Sequence, residues 1–108
     1  MNCIFCKIIA GEIGSAKVLE NDEVLAIRDR APQAPVHVLV MPKVHVASLA
    51  ELENGKTAAA LLQAVREVAA KEGLKEFRTI ANSGVSAGQT VFHLHLHVIG
   101  GKALGALG

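Results

Sequence analysis

The segment FHLHLHVIGG, residues 92–101, alternates imidazole and aliphatic side chains through His93, Leu94, His95, Leu96, His97 and Val98. A period of two marks an extended strand, whose successive side chains point to opposite faces. It predicts a strand over 90–99 with three imidazoles on one face and an aliphatic row, Leu94, Leu96 and Val98, on the other. That row must be buried, so another layer has to cover it. Three neutral imidazoles on a core face would each demand hydrogen-bond partners, and on a solvent face they add little to a strand. The run points to chemistry rather than to packing.

The covering layer is legible within residues 56–72. Ala58, Leu61, Leu62, Val65, Val68 and Ala69 recur at helical spacing, Asn54 or Thr57 can cap the start, and Gly73 suits the end. Upstream, CIFCKIIAGE predicts a short opening helix stopped by Gly11. Residues 18–20 and 24–28 flank Asn21-Asp22-Glu23, a hairpin signal. APQAP is a loop, and VHVLVMP is a β-branched strand closed by Pro42. FRTIAN is a short strand, SGVSAGQ a small-residue loop and GGKALGALG an irregular tail. The pattern predicts one α+β domain over 1–108, with helices on one face of a mostly antiparallel sheet.

Apolar residues make up 51% of the chain and charged ones 19%, the net charge is +1, and lysine and arginine form no run. This argues against nucleic acid gripped through its phosphates. No apolar stretch is long enough to span a bilayer, and MNCIFCKIIAGE lacks the charged-then-apolar order of a signal peptide. The expectation is a cytoplasmic protein with no nucleic-acid or membrane partner. In that reducing setting two cysteines serve as thiols, metal ligands or redox groups rather than as a disulfide.

The three aligned histidines admit two chemistries. Three imidazoles and a water make an open zinc site. Yet three in line span roughly 13 Å, too far for the outer pair to share an ion bonded at about 2.1 Å. Alternatively, a neutral imidazole nitrogen attacks phosphorus and forms a covalent intermediate, its second nitrogen holding a proton against an acceptor. The flanking imidazoles could then meet phosphate oxygens or the leaving group. Cys3 and Cys6 lie three apart, so one helical turn turns both sulfurs toward the same point. They supply half of a four-ligand zinc site. His45 and one end of the triad, His93 for preference, could supply the rest, although spacing alone does not decide it. Small buried residues on a short helix are the plainer reading.

Two further features lie near the run. The loop Ser83 to Thr90 carries Gly84 and Gly88, and glycines let backbone N–H groups approach a phosphate closely; a plain turn is the commoner use. Asp29, between Arg28 and Arg30 at a strand end, could accept ribose hydroxyls, although such acids are more often solvated charges.

Taken together, IFCKIIAGEI, RDRAPQAPVHVLVMPKVH and AGQTVFHLHLHVIGG resemble the Hint branch of the histidine-triad family, in order and spacing, over nearly the whole chain. The resemblance implies an antiparallel sheet of about five strands with a main helix, a short N-terminal helix and a two-fold homodimer. It implies hydrolysis at the α-phosphate of nucleoside phosphoramidates, adenylated amines among them, with a purine nucleotide (an AMP or GMP moiety) as the bound part. His95 would be the nucleophile, with His97, His93 and Thr90 beside it in the catalytic set. Asp29, His37, Asn82, Gly88, Thr90 and His97 match nucleotide-binding positions. Some bacterial members hold a structural zinc with residues matching Cys3, Cys6, His45 and His93, and the chemistry needs no cofactor.

Departures from the pattern bear on the substrate. Arg30 follows the ribose acid where relatives commonly carry an apolar residue, and no tryptophan exists to reach across the dimer from the C-terminus. Gly100-Gly101 after the triad favours Hint over the Fhit branch. Cleavage of dinucleoside polyphosphates, as in Fhit, and a nucleotide-binding module with vestigial activity are the competing readings.

Overall fold

The computed structural model describes residues 3–106; Met1, Asn2 and the last two residues of the expected C-terminal tail lie outside them. Five strands form one sheet: β1 (Lys17–Glu20), β2 (Val24–Arg28), β3 (Val36–Pro42), β4 (Phe77–Ile80) and β5 (Leu96–Gly100). Their spatial order is β1-β2-β3-β5-β4, with every pair antiparallel. The expected hairpin joins β1 to β2. There Asn21 Oδ1 accepts the backbone N–H groups of Glu23 and Val24, both at 2.9 Å, as asparagine does in tight turns.

Helix α2 (Gly55–Lys71) covers one face. Asn54, not Thr57, caps it, accepting the N–H groups of Lys56 and Thr57. Gly73, at φ +73°, ends it. The N–H of Gly73 returns to the Ala70 carbonyl and that of Leu74 to the Ala69 carbonyl, a paired closure that needs a left-handed residue. Leu61, Val65 and Val68 pack on Val24, Ala26, Val38, Val40, Leu96 and Val98. Leu94 joins this cluster, so the aliphatic row of the triad segment is buried as expected.

Helix α1 (Ile4–Ile9) packs on the opposite face, where Phe5 and Ile8 meet Leu25, Ile27, Leu39 and Met41. The expectation of helices on one face is therefore corrected. The cause is visible in β2 and β3: VLAI and VLVM are unbroken apolar runs, and a strand apolar on both sides needs cover on both sides. Among the described residues no helix is long and apolar enough to cross a membrane.

The triad segment is also shorter as a strand than its alternation predicts. β5 begins at Leu96, not near residue 90. Its register on β3, Val36 opposite Gly100 through Val40 opposite Leu96, would next place Leu94 against Pro42, which has no N–H for the ladder. On the other side, pairing with β4 starts at Ile80 opposite His97. With no partner on either flank, the chain leaves the sheet. The Leu94 N–H instead reaches the Val46 carbonyl, beyond β3. His93 and His95 thus sit just outside the strand, and His97 within it.

Candidate functional site

The break before Leu96 divides the histidines. His93 is fully buried and turns into a cluster with Cys3, Cys6 and His45. The four ligating atoms lie within 4.8 Å of one another. Its Nε2–H donates to the Pro42 carbonyl at 2.8 Å, which leaves the lone pair on Nδ1. That Nδ1 lies 3.4 Å from Cys3 Sγ, 3.5 Å from Cys6 Sγ and 3.2 Å from His45 Nδ1. Cys6 Sγ is 3.5 Å from His45 Nδ1. Around a tetrahedral zinc, bond lengths of roughly 2.1 Å to nitrogen and 2.3 Å to sulfur give edges of about 3.4 and 3.6 Å. The separations are close to those edges, so the four residues fit a metal ion of that size. Burial, then the neighbouring His45 and His95, push His93 below the usual imidazole range against the opposing Pro42 carbonyl, which keeps its ring neutral and able to ligate.

His95 is half-buried and differs in which nitrogen is tied. Its Nδ1–H donates to the His93 carbonyl at 2.8 Å, so its lone pair resides on Nε2. Phe5 stands edge-on to both rings, with centroids 5.9 Å from His93 and 5.0 Å from His95, an apolar wedge between them.

His97 belongs to a third arrangement, with His37 and Asp29. The backbone N–H of Gln33 donates to His37 Nδ1 at 3.0 Å. His37 must then carry its proton on Nε2, which lies 2.9 Å from His97 Nδ1 and 3.4 Å from Asp29 Oδ2. His97 Nδ1 accepts, so the proton of the neutral His97 ring sits on Nε2. Burial, then the imidazoles of His95 and His37, push His97 down to about 4 against the pull of Asp29. This ring is neutral at pH 7 and presents an N–H donor.

His95, His97, Thr90 and Asp29 line one cleft of about 560 Å³, together with apolar side chains from α1, β2 and β3. His37 stands behind His97, buried, and orients it. Asn82 and Gly88 sit in the glycine loop behind Thr90 and are not among the cleft-lining residues. Asn82 Nδ2 donates to the Ala87 carbonyl at 2.7 Å, and Gly88 turns at φ +92°, open to glycine and costly to other residues. The His93 ring also lies outside the cleft; only its carbonyl reaches the His95 ring.

Three contributors escaped the sequence. Gln89 is buried; its Oε1 accepts the Gly84 N–H and its Nε2 donates to the Ala47 and Val91 carbonyls, stapling the glycine loop to the segment after β3. It is the one long polar side chain in that small-residue stretch, which is the signal that could have found it. The Gln33 N–H acts through the backbone and leaves no side-chain signal. Phe5 had a motif but no assigned place.

A family model described as HIT domain matches residues 10–104. An uncharacterised HIT-like protein of Synechococcus elongatus is 51% identical over 104 residues, covering 94% of this chain and 91% of its own. Adenylylsulfatase HINT1 of Arabidopsis thaliana is 45% identical over 106 residues, covering 94% of this chain and 72% of its own. Among solved structures, a HIT family hydrolase from Clostridium thermocellum superposes with a TM-score of 0.94 at 45% identity, over 98% of this chain and 96% of that one.

Proposed function

The chain belongs to the HIT domain family, and on that premise we propose that it hydrolyses nucleoside phosphoramidates at the α-phosphate through a nucleotidyl group on His95. The observation that carries this reading is the His95 hydrogen bond to the His93 carbonyl, which leaves Nε2 unprotonated on a ring that lines the cleft. Nε2 attacks phosphorus, the bond from phosphorus to the amine breaks, and the amine departs with a proton taken from solvent, which the attacking water of the second step returns. The ring then bears positive charge, and the carbonyl holding Nδ1–H stabilises it. Water next attacks phosphorus, the P–Nε2 bond breaks, and the nucleoside monophosphate leaves with His95 restored.

The other residues bind and orient. His97 donates its Nε2–H to an α-phosphate oxygen, and His37 holds the tautomer that makes this possible. The Thr90 hydroxyl meets a further phosphate oxygen, and the Gly88 turn positions Thr90. Asp29 accepts the ribose hydroxyls, and the purine of an AMP or GMP moiety lies against Ile8 and Ile27. In this reading Cys3, Cys6, His45 and His93 hold zinc; with four protein donors the site is structural, and it clamps α1 to the segment that positions His95.

The hydrolase named in the Clostridium thermocellum structure supports hydrolysis, and the adenylylsulfatase of Arabidopsis supports cleavage beside an adenylyl group. Adenylyl sulfate is accordingly the second substrate to assay, beside an adenosine phosphoramidate and a dinucleoside polyphosphate. Replacing His95 with Asn lowers kcat by about 10³-fold or more while AMP still binds. A His95→Asn protein with native turnover sinks the covalent mechanism. Tight AMP binding with negligible wild-type turnover makes the protein a binding module instead. Light scattering on the same preparation reads the proposed homodimer.

A further inference from the structure

Three polar side chains in the cleft take no part in this chemistry, Ser15, Arg28 and Arg30. Ser15 Oγ is buried and has no hydrogen-bond partner among the described residues. A buried hydroxyl left unpaired is unfavourable, and turning this side chain toward the cleft it lines would let a ligand atom pair it. Arg30 is exposed, and its guanidinium makes one bond, from Nη2 to the Gly14 carbonyl at 3.2 Å, next to Ser15. Arg28 lines the same cleft but is committed elsewhere: both of its Nη atoms bond the Glu72 carboxylate. Arg30 therefore brings donor capacity that the protein itself does not consume, since a guanidinium has five N–H groups and no acceptor.

We infer that Arg30, with Ser15 beside it, selects the nucleobase, so that the cleft prefers a purine with a carbonyl at C6, guanine or hypoxanthine, over adenine. The inference rests on the preceding reading for the ligand being a nucleotide. Arg30 follows Asp29 directly, so a ribose on Asp29 delivers its base to the Arg30 end of the cleft, away from His95 and His97. Ile4, Ile8 and Ile27 supply an apolar wall for the ring. The edge of the ring then meets a group that can only donate. Guanine and hypoxanthine offer two neighbouring acceptors, O6 and N7, which a guanidinium pairs in a two-pronged contact. Adenine offers N7 beside an amino group, and that amino group sets donor against donor. The Ser15 hydroxyl rotates to donate or accept, so it adds affinity without choosing.

Titration calorimetry with GMP, IMP and AMP, on the wild type and on Arg30→Met, tests this without relying on turnover. GMP and IMP bind about tenfold tighter than AMP, the low end for a two-pronged base contact. Arg30→Met brings GMP and IMP down to the AMP affinity, and Ser15→Ala weakens all three alike by a few fold. Equal wild-type binding of AMP and GMP overturns the inference. So does an Arg30→Met variant that weakens all three equally, which would reduce the arginine to a stacking surface. IMP behaving like AMP would put selection on the 2-amino group and overturn it as well. Specificity constants for the three matching phosphoramidates separate the two readings. A GMP preference without any turnover sinks the hydrolase and leaves base selection standing; turnover with equal affinities does the reverse; no nucleotide binding overturns both.

Discussion

Two clusters of ligating side chains flank His95, and they are built on opposite principles. At the His93 end, Cys3, Cys6, His45 and His93 converge within 4.8 Å; at the His97 end, Asp29, His37 and His97 do the same. In the first, the His93 proton is drawn away to a backbone carbonyl, so its lone pair and two sulfurs face a common point. In the second, a proton lies between the rings: His37 receives one from Gln33 on one nitrogen and offers one to His97 on the other. Converging lone pairs suit a cation. A chain of donors and acceptors suits an oriented N–H. Proximity of histidines alone does not separate the two cases; the backbone partner of each outer nitrogen does.

The contrast breaks most visibly at the His93 end. Cys6→Ser should abolish bound zinc and cost on the order of 4 kcal/mol of stability, because the binding energy of a structural zinc counts as folding energy. Metal analysis and denaturant unfolding measure both. A variant with unchanged metal content and midpoint would reduce the cluster to packed thiols. The mirror experiment is His97→Gln. It should leave zinc at the wild-type level while lowering kcat/KM by about 10²-fold, as loss of one aligned donor to developing charge does. Zinc loss in that variant would mean that the two ends are not independent.

A smaller effect sharpens the comparison through pH. The unfolded chain takes up a proton at His97 below about pH 6.5, whereas the folded ring waits until about 4. The unfolded state binds more protons in that window, so stability falls as pH drops from 6.5 to 4. The contribution is about 2 kcal/mol after discounting for the partly exposed ring. His97→Gln should flatten the stability profile over that window relative to wild type. Parallel profiles would show that His97 is not held neutral by its surroundings.

Much of this was legible in the chain. The hairpin at Asn21, the cap at Asn54, the stop at Gly73 and the bounds of β3 all follow from local chemistry, within a residue or so. The division of the triad was foreshadowed by distance alone, since outer histidines four residues apart on an extended chain cannot share an ion. The second covered face was readable in principle from the unbroken apolar runs of β2 and β3. The early end of the triad strand was not, because it depends on Pro42 arriving opposite Leu94, a coincidence of register between segments 52 residues apart.

What the sequence determined by itself is the set of side chains and the faces they share: period two places histidines against aliphatics, period 3.6 raises a cover over the aliphatics, and the motifs mark the family. Which nitrogen of each histidine carries its proton was decided only by tertiary structure. That choice is made by the Pro42 and His93 carbonyls and the Gln33 N–H, and backbone groups are the same in every residue. They acquire roles only when folding sets them beside a ring, and here they leave the lone pair of His93 on Nδ1, that of His95 on Nε2, and an N–H on Nε2 of His97.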